Sequence, residues 1–140
     1  MNEKELRELD AWIAENVMGY RRTQNPDEYT TDGQTLVWER TGEHKESVLV
    51  GRAYTHSGLT REYGKEMFSH SWTHYRPTTD PAAAMMVWSK CLVKLRELGF
   101  AAEWMMWKDG TITIYASDDL QASAKTEPLA ICLFAKKLFS

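Results

Sequence analysis

The sequence predicts a mixed α+β fold: a three-layer α/β/α sandwich, with a mainly antiparallel sheet of about four to five strands and helices on both faces. Three observations predict it. Three segments carry apolar residues at helical spacing, and each opens on a residue able to cap a helix. Between them lie runs rich in β-forming residues joined by short polar turns, which is the pattern of hairpins and so of antiparallel pairing. Each helix has one apolar stripe to bury, and a sheet covered on both faces accommodates all of them.

The first helix starts at Asn2, whose side chain can accept the Glu5 amide while Glu5 bonds back. Leu6, Leu9, Ile13 and Val17 follow on one face, with Trp12 beside them, and Gly19 offers a left-handed stop. "YRRTQNPDEYTTDG" reads as a loop, because Asn25-Pro26 and Asp32-Gly33 are turn pairs. Thr35–Arg40 and Ser47–Tyr54 flank a polar stretch and read as a hairpin, followed by the polar loop "THSGLTREYGKE". Met67–Tyr75 alternates like a strand, with Phe68, His70, Trp72 and His74 on one face and Ser69, Ser71, Thr73 and Tyr75 on the other.

Asp80 and Pro81 open the second helix, whose apolar face is Ala84, Trp88, Cys91, Leu92, Leu95 and Leu98, with Gly99 as its stop. Phe100–Trp107 and Thr111–Ala116 form a second hairpin turning at Asp109-Gly110, with Ile112 and Ile114 facing the core. "SDDLQASAK" reads as a polar linker. Thr126 caps the last helix, Glu127 and Pro128 occupy its first turn, and Leu129, Cys132, Leu133 and Ala135–Phe139 form its apolar stripe.

Composition bounds the function. A chain of 140 residues, 43% hydrophobic, is expected to be one domain over residues 1–140 and to need no disulfide or metal to fold. The net charge of −3 lacks the basic excess of phosphate-backbone binders, so no extended nucleic acid is expected as partner. No apolar run has the length of a membrane span. The charged start "MNEKELRELD" has no signal-peptide pattern, so we expect a cytoplasmic protein without membrane contact. Cys91 and Cys132 sit among apolar helix residues and are expected to be buried free thiols.

Catalytic patterns are sparse. Glu66, His70 and His74 would share a face only on a helix, where they could bind a metal, but the segment reads as strand and has no HExxH. A cysteine nucleophile needs an exposed, activated thiolate, and both cysteines lie on core faces. No glycine-rich phosphate loop is present. We therefore expect no catalytic residues, no metal and no cofactor. Binding patterns are better represented. "GYRR" places Tyr20 beside Arg21 and Arg22, and "WTHYRP" places Trp72, His74, Tyr75 and Arg76 ahead of a helix N-terminus. Guanidinium groups pair with phosphates, aromatics stack on bases, and helix N-termini favour anions. These seven residues are the candidate ligand-binding set. The plainer reading is that Arg21 and Arg22 complement a helix C-terminus and Trp72 packs in the core, while the Asp80 carboxylate fills the cap itself.

"ELDAWIAENVMGY", "YRPTTDPAAAMMVWSKCL" and "TEPLAICLFAKKLFS" together resemble the phage ABA sandwich domain family. The likeness covers the three helices in order, and the region from about residue 32 to 74 is a less typical, β-rich elaboration. The family's tyrosine-serine-threonine-aspartate run appears as Tyr75 through Asp80 with an insertion, and the glutamate of the last helix start is displaced to Glu127. The resemblance implies an α/β/α sandwich, a phage or prophage origin and action in the cytoplasm of a bacterial host. It brings no catalytic residues. The resulting expectation is a non-enzymatic phage accessory protein, a homo-oligomer that sequesters a small phosphate-bearing, nucleotide-type signal of host antiviral defence. The alternative is a protein–protein inhibitor or adaptor that binds a host or phage protein. A small metal-dependent hydrolase stands behind both.

Overall fold

Helix α1 (Glu3–Asn16) begins where the sequence places it. Asn2 Oδ1 accepts the Glu5 amide at 2.8 Å, and Asn2 Nδ2 donates to Glu5 Oε1 at 3.2 Å, so the capping pair closes side chain to side chain. The computed structural model describes residues 1–22, 35–40, 46–51 and 73–140. Leu9, Ile13 and Ala14 form the buried stripe of α1. The helix ends at Asn16, and Gly19 at φ 76° turns the chain, with Val17, Met18 and Tyr20 buried around it.

A first sheet follows the order β1 (Arg21–Arg22), β2 (Thr35–Arg40), β3 (Glu46–Gly51), β4 (Thr73–His74). β1–β2 and β2–β3 are antiparallel, the latter being the expected hairpin, and β4 joins β3 in parallel. Of the strand expected over Met67–Tyr75, Thr73 and His74 lie in β4. Tyr75 lies beyond it, and residues 67–72 fall outside the described residues.

Helix α2 (Pro81–Leu98) starts at Asp80, whose Oδ1 accepts the Ala82 amide at 3.1 Å, and ends at Gly99, φ 79°. Asp80→Ala is expected to lower folding stability by about 0.5–2 kcal/mol, read from the urea midpoint, because the orphan amides of the first turn lose their acceptor. The buried stripe is Ala84, Val87, Cys91 and Leu95, with Trp88 half-buried. This corrects the expected face: Leu92 and Leu98 are 44% and 51% exposed. They flank a narrower stripe, and spacing alone could not tell its centre from its edges.

The second sheet has the order β5 (Glu103–Met106), β6 (Ile112–Ser117), β7 (Leu120–Ala124), antiparallel throughout. β5–β6 is the expected hairpin, turning through Gly110 at φ 87°, and Ile112 and Ile114 are buried. β7 corrects the linker reading of residues 117–125. Its inward positions are Leu120, Ala122 and Ala124 and its outward ones Gln121 and Ser123, so the alternation is present but carried by residues of weak strand preference.

Helix α3 (Glu127–Phe139) is capped by Thr126, whose Oγ1 accepts the Leu129 amide at 3.4 Å. More than a stripe of it is buried: Pro128, Ala130, Ile131, Cys132, Phe134, Ala135 and Leu138. The reason is its position against β6 and β7, α2 and α1, which leaves it few sides free. α1 in turn packs on β3.

The structure thus shows a mixed α+β fold with predominantly antiparallel pairing. Among the described residues the strands form two sheets, where one of four to five strands was expected. Among the same residues no helix is long and apolar enough to cross a membrane.

Candidate functional site

The structure brings together only part of the expected ligand-binding set. Tyr20 and Tyr75 are 3% and 8% exposed, and their rings pack 5.4 Å apart at a tilt of 46°. Both rings belong to the core. Arg21 and Arg22 form β1, opposite Glu39 and Trp38, whereas His74 lies in β4 at the other edge of the same sheet. Arg76 is half-buried, and Trp72, His70 and Glu66 lie outside the described residues.

Behind the tyrosine pair, α1 meets the turn that starts α2 through a buried polar cluster. Asp10 and Thr78 are almost wholly buried, and so is Arg7. The Thr78 amide donates to Asp10 Oδ1 at 2.9 Å, and Arg7 Nη1 stands 3.1 Å from Asp10 Oδ2. Arg7 Nη2 donates to Thr78 Oγ1 at 3.3 Å, and Arg7 Nε lies 3.3 Å from Glu3 Oε1. Burial pushes the Asp10 carboxyl up to about 6, against the opposing pull of the Thr78 amide and the Arg7 charge, so it is ionised at neutral pH. Burial and the neighbouring Arg7 charge lower the Arg76 guanidinium from its ordinary value, with Glu3 and Asp10 acting the other way. Both Asp10 oxygens face partners inside the fold, so the cluster acts as a lock between α1 and α2. Burial likewise raises the free thiols, Cys91 to about 12 and Cys132 further, which keeps both protonated and unreactive at neutral pH.

The open surface chemistry lies on the outer face of the second sheet. The register aligns Met105, Thr113 and Ser123 across the three strands. Trp107, one position past β5, is 55% exposed, and its indole Nε1 donates to Thr113 Oγ1 at 2.9 Å. Thr113 is 5% exposed and shares a 2.7 Å hydrogen bond with Ser123 Oγ. An indole tethered this way lies in a defined orientation before any ligand arrives. Around it Met105, Lys108, Asp109, Thr111, Gln121 and Ser123 line an open, shallow groove.

Among the described residues three side chains set the charge in this groove. Hydrogen bonds from Thr111, assisted by Lys125, hold the Asp109 carboxyl down at about 2, and Lys125 Nζ lies 3.2 Å from Asp109 Oδ2. That pair is neutral overall. Lys108 has no ion-pair partner among the described residues, so the groove keeps one uncompensated cation. An exposed aromatic face, hydroxyl and amide groups and an ammonium suit a planar ligand carrying an anionic group. The sequence reading assigned no role to this site. Its signal was the outward alternation Met105-Trp107, Thr111-Thr113 and Gln121-Ser123, and the third strand of that pattern was hidden inside an apparent linker.

A second surface is apolar. On α2, Met85, Met86, Leu92 and Val93 are 51%, 56%, 44% and 56% exposed, at spacings of seven residues that put them along one side of the helix. Comparison with protein-family models, with curated proteins and with solved structures finds no match to this chain.

Proposed function

We propose that this chain is a non-enzymatic binding protein that holds a small nucleotide-type ligand in the groove on the outer face of its second sheet. The tethered, exposed indole of Trp107 carries the reading. A base stacked on it gains an aromatic contact without first ordering the side chain. Lys108 supplies a charge for a phosphate, and Ser123, Thr111 and Gln121 supply donors and acceptors for base or sugar edges. In the setting implied by the phage ABA sandwich resemblance, the protein is a phage accessory factor in the host cytoplasm that sequesters a signal of antiviral defence.

Isothermal titration against mono-, di- and cyclic nucleotides tests this. At least one is expected to bind, and Trp107→Ala is expected to weaken that binding by roughly 5- to 150-fold, the worth of about 1–3 kcal/mol of stacking per base. Trp107 is exposed, so circular dichroism should be unchanged. A silent panel, or binding indifferent to Trp107→Ala, overturns the reading.

A second reading, an inhibitor or adaptor for a host or phage protein, is favoured by the apolar side of α2. Here a stoichiometric protein captured from host lysate should be lost in Val93→Lys and kept in Trp107→Ala.

A further inference from the structure

We propose that β5 pairs antiparallel with the β5 of a second copy of this chain about a two-fold axis, joining the two second sheets into one of six strands. This inference is independent of the ligand reading.

β5 is the outer strand of its sheet, and among the described residues nothing pairs with its far side. Hydrogen bonds in an antiparallel ladder alternate between partner and free edge. The Trp107 amide donates to the Thr111 carbonyl at 2.8 Å, so Met105 and Glu103 bond inward to β6 in the same phase. Trp104 and Met106 therefore present their backbone groups outward. The opposite edge of the sheet differs: Lys137 Nζ donates to the Gln121 carbonyl at 2.6 Å, so a lysine caps β7. Lysines, prolines and bulges are what protect an edge from pairing. β5 reads Glu-Trp-Met-Met and has none of them; its one charged side chain, Glu103, stands at its first position.

The side chains along this edge fit burial by a copy. Trp104, Met106 and Phe100 are 39%, 75% and 43% exposed. Taking roughly 200 Å² for each such side chain, they expose on the order of 300 Å². Apolar atoms make up about 60% of a dimer interface, so this patch implies on the order of 500 Å² per copy, the small end of specific contacts and that of a reversible pair. Self-pairing satisfies the two outward residues in one symmetric step, because Trp104 of each copy meets Met106 of the other with Met105 at the axis. Trp104 enters the contact already braced by Trp88, at 5.1 Å with rings nearly perpendicular. The pairing also sets both Trp107 grooves on the same face of the joined sheet.

Sedimentation equilibrium of the full chain over micromolar to submillimolar concentrations tests the pairing. A dimer is expected, and Met106→Lys is expected to weaken its dissociation constant at least tenfold with an unchanged far-ultraviolet spectrum, since that side chain is three-quarters exposed. Met86→Lys, on α2, is expected to leave the dimer intact. A monomer at every concentration overturns the proposal. A dimer insensitive to Met106→Lys, or equally sensitive to Met86→Lys, overturns β5 as the contact.

Discussion

Asp10→Ala is expected to destabilise the fold by about 3–5 kcal/mol at neutral pH. The alanine removes the acceptor of the Thr78 amide and the buried partner of Arg7 together. Both groups lie where water cannot replace the lost partner. Glu3 stays near Arg7 Nε, but its side chain is 63% exposed and cannot neutralise a guanidinium on the buried side. Urea unfolding followed by tryptophan fluorescence measures the loss. A change within 1 kcal/mol would show that the cluster adds nothing to the apolar packing that holds α1 in the fold.

Asparagine at the same position separates the hydrogen bond from the charge. It keeps an oxygen for the Thr78 amide and has no proton to titrate. In the wild type the folded carboxyl titrates at about 6, above its ordinary 3.8. Between those values the unfolded chain gives up its proton first, so the Asp10 contribution to wild-type stability falls as pH rises through the window and is level above it. The share of Asp10 is on the order of 3 kcal/mol. Asp10→Asn should therefore gain on the wild type by that amount from pH 4 to pH 7. The opposite slope would mean that the Arg7 charge outweighs burial.

Phe134→Ala is expected to cost about 3–5 kcal/mol, a large part of the total stability of a domain of this size. Phe134 is fully buried on the helix that meets β6, β7, α1 and α2, and Trp88 packs on it at 5.9 Å. Neighbours drawn from several elements cannot all move into the space it leaves, so a cavity remains. Phe134→Leu retains most of the volume and should lose less than half as much. Equal losses for the two would point to aromatic contact with Trp88, rather than filled volume, as the source.

The contrast between these two sites shows what a linear reading can reach. The caps at Asn2, Asp80 and Thr126 act within three residues, so their chemistry is written locally and the helix starts follow from it. The β5–β6 hairpin and the burial of both cysteines are legible for the same reason, since turn residues and periodicity are short-range signals. Strand β7 was not legible: alanine, serine and glutamine become a strand only because β6 offers them a ladder and α3 covers one face.

The candidate site divides in the same way. Tyr20 and Tyr75 carry the same ring chemistry in the sequence whether they face a ligand or each other, and only the fold sets them 5.4 Å apart in the core. Trp107 looks like any other tryptophan of the chain until β7 brings Ser123 beside Thr113 and the indole is tied to that pair. By itself the sequence determined the helices, their starts and the β2–β3 and β5–β6 hairpins, because those depend on neighbours close in the chain. Only the tertiary structure decided which faces are covered, which edge stays open, and that Asp10 and Thr78, 68 residues apart, share a hydrogen bond. Burial is a property of what packs on a residue from elsewhere in the chain.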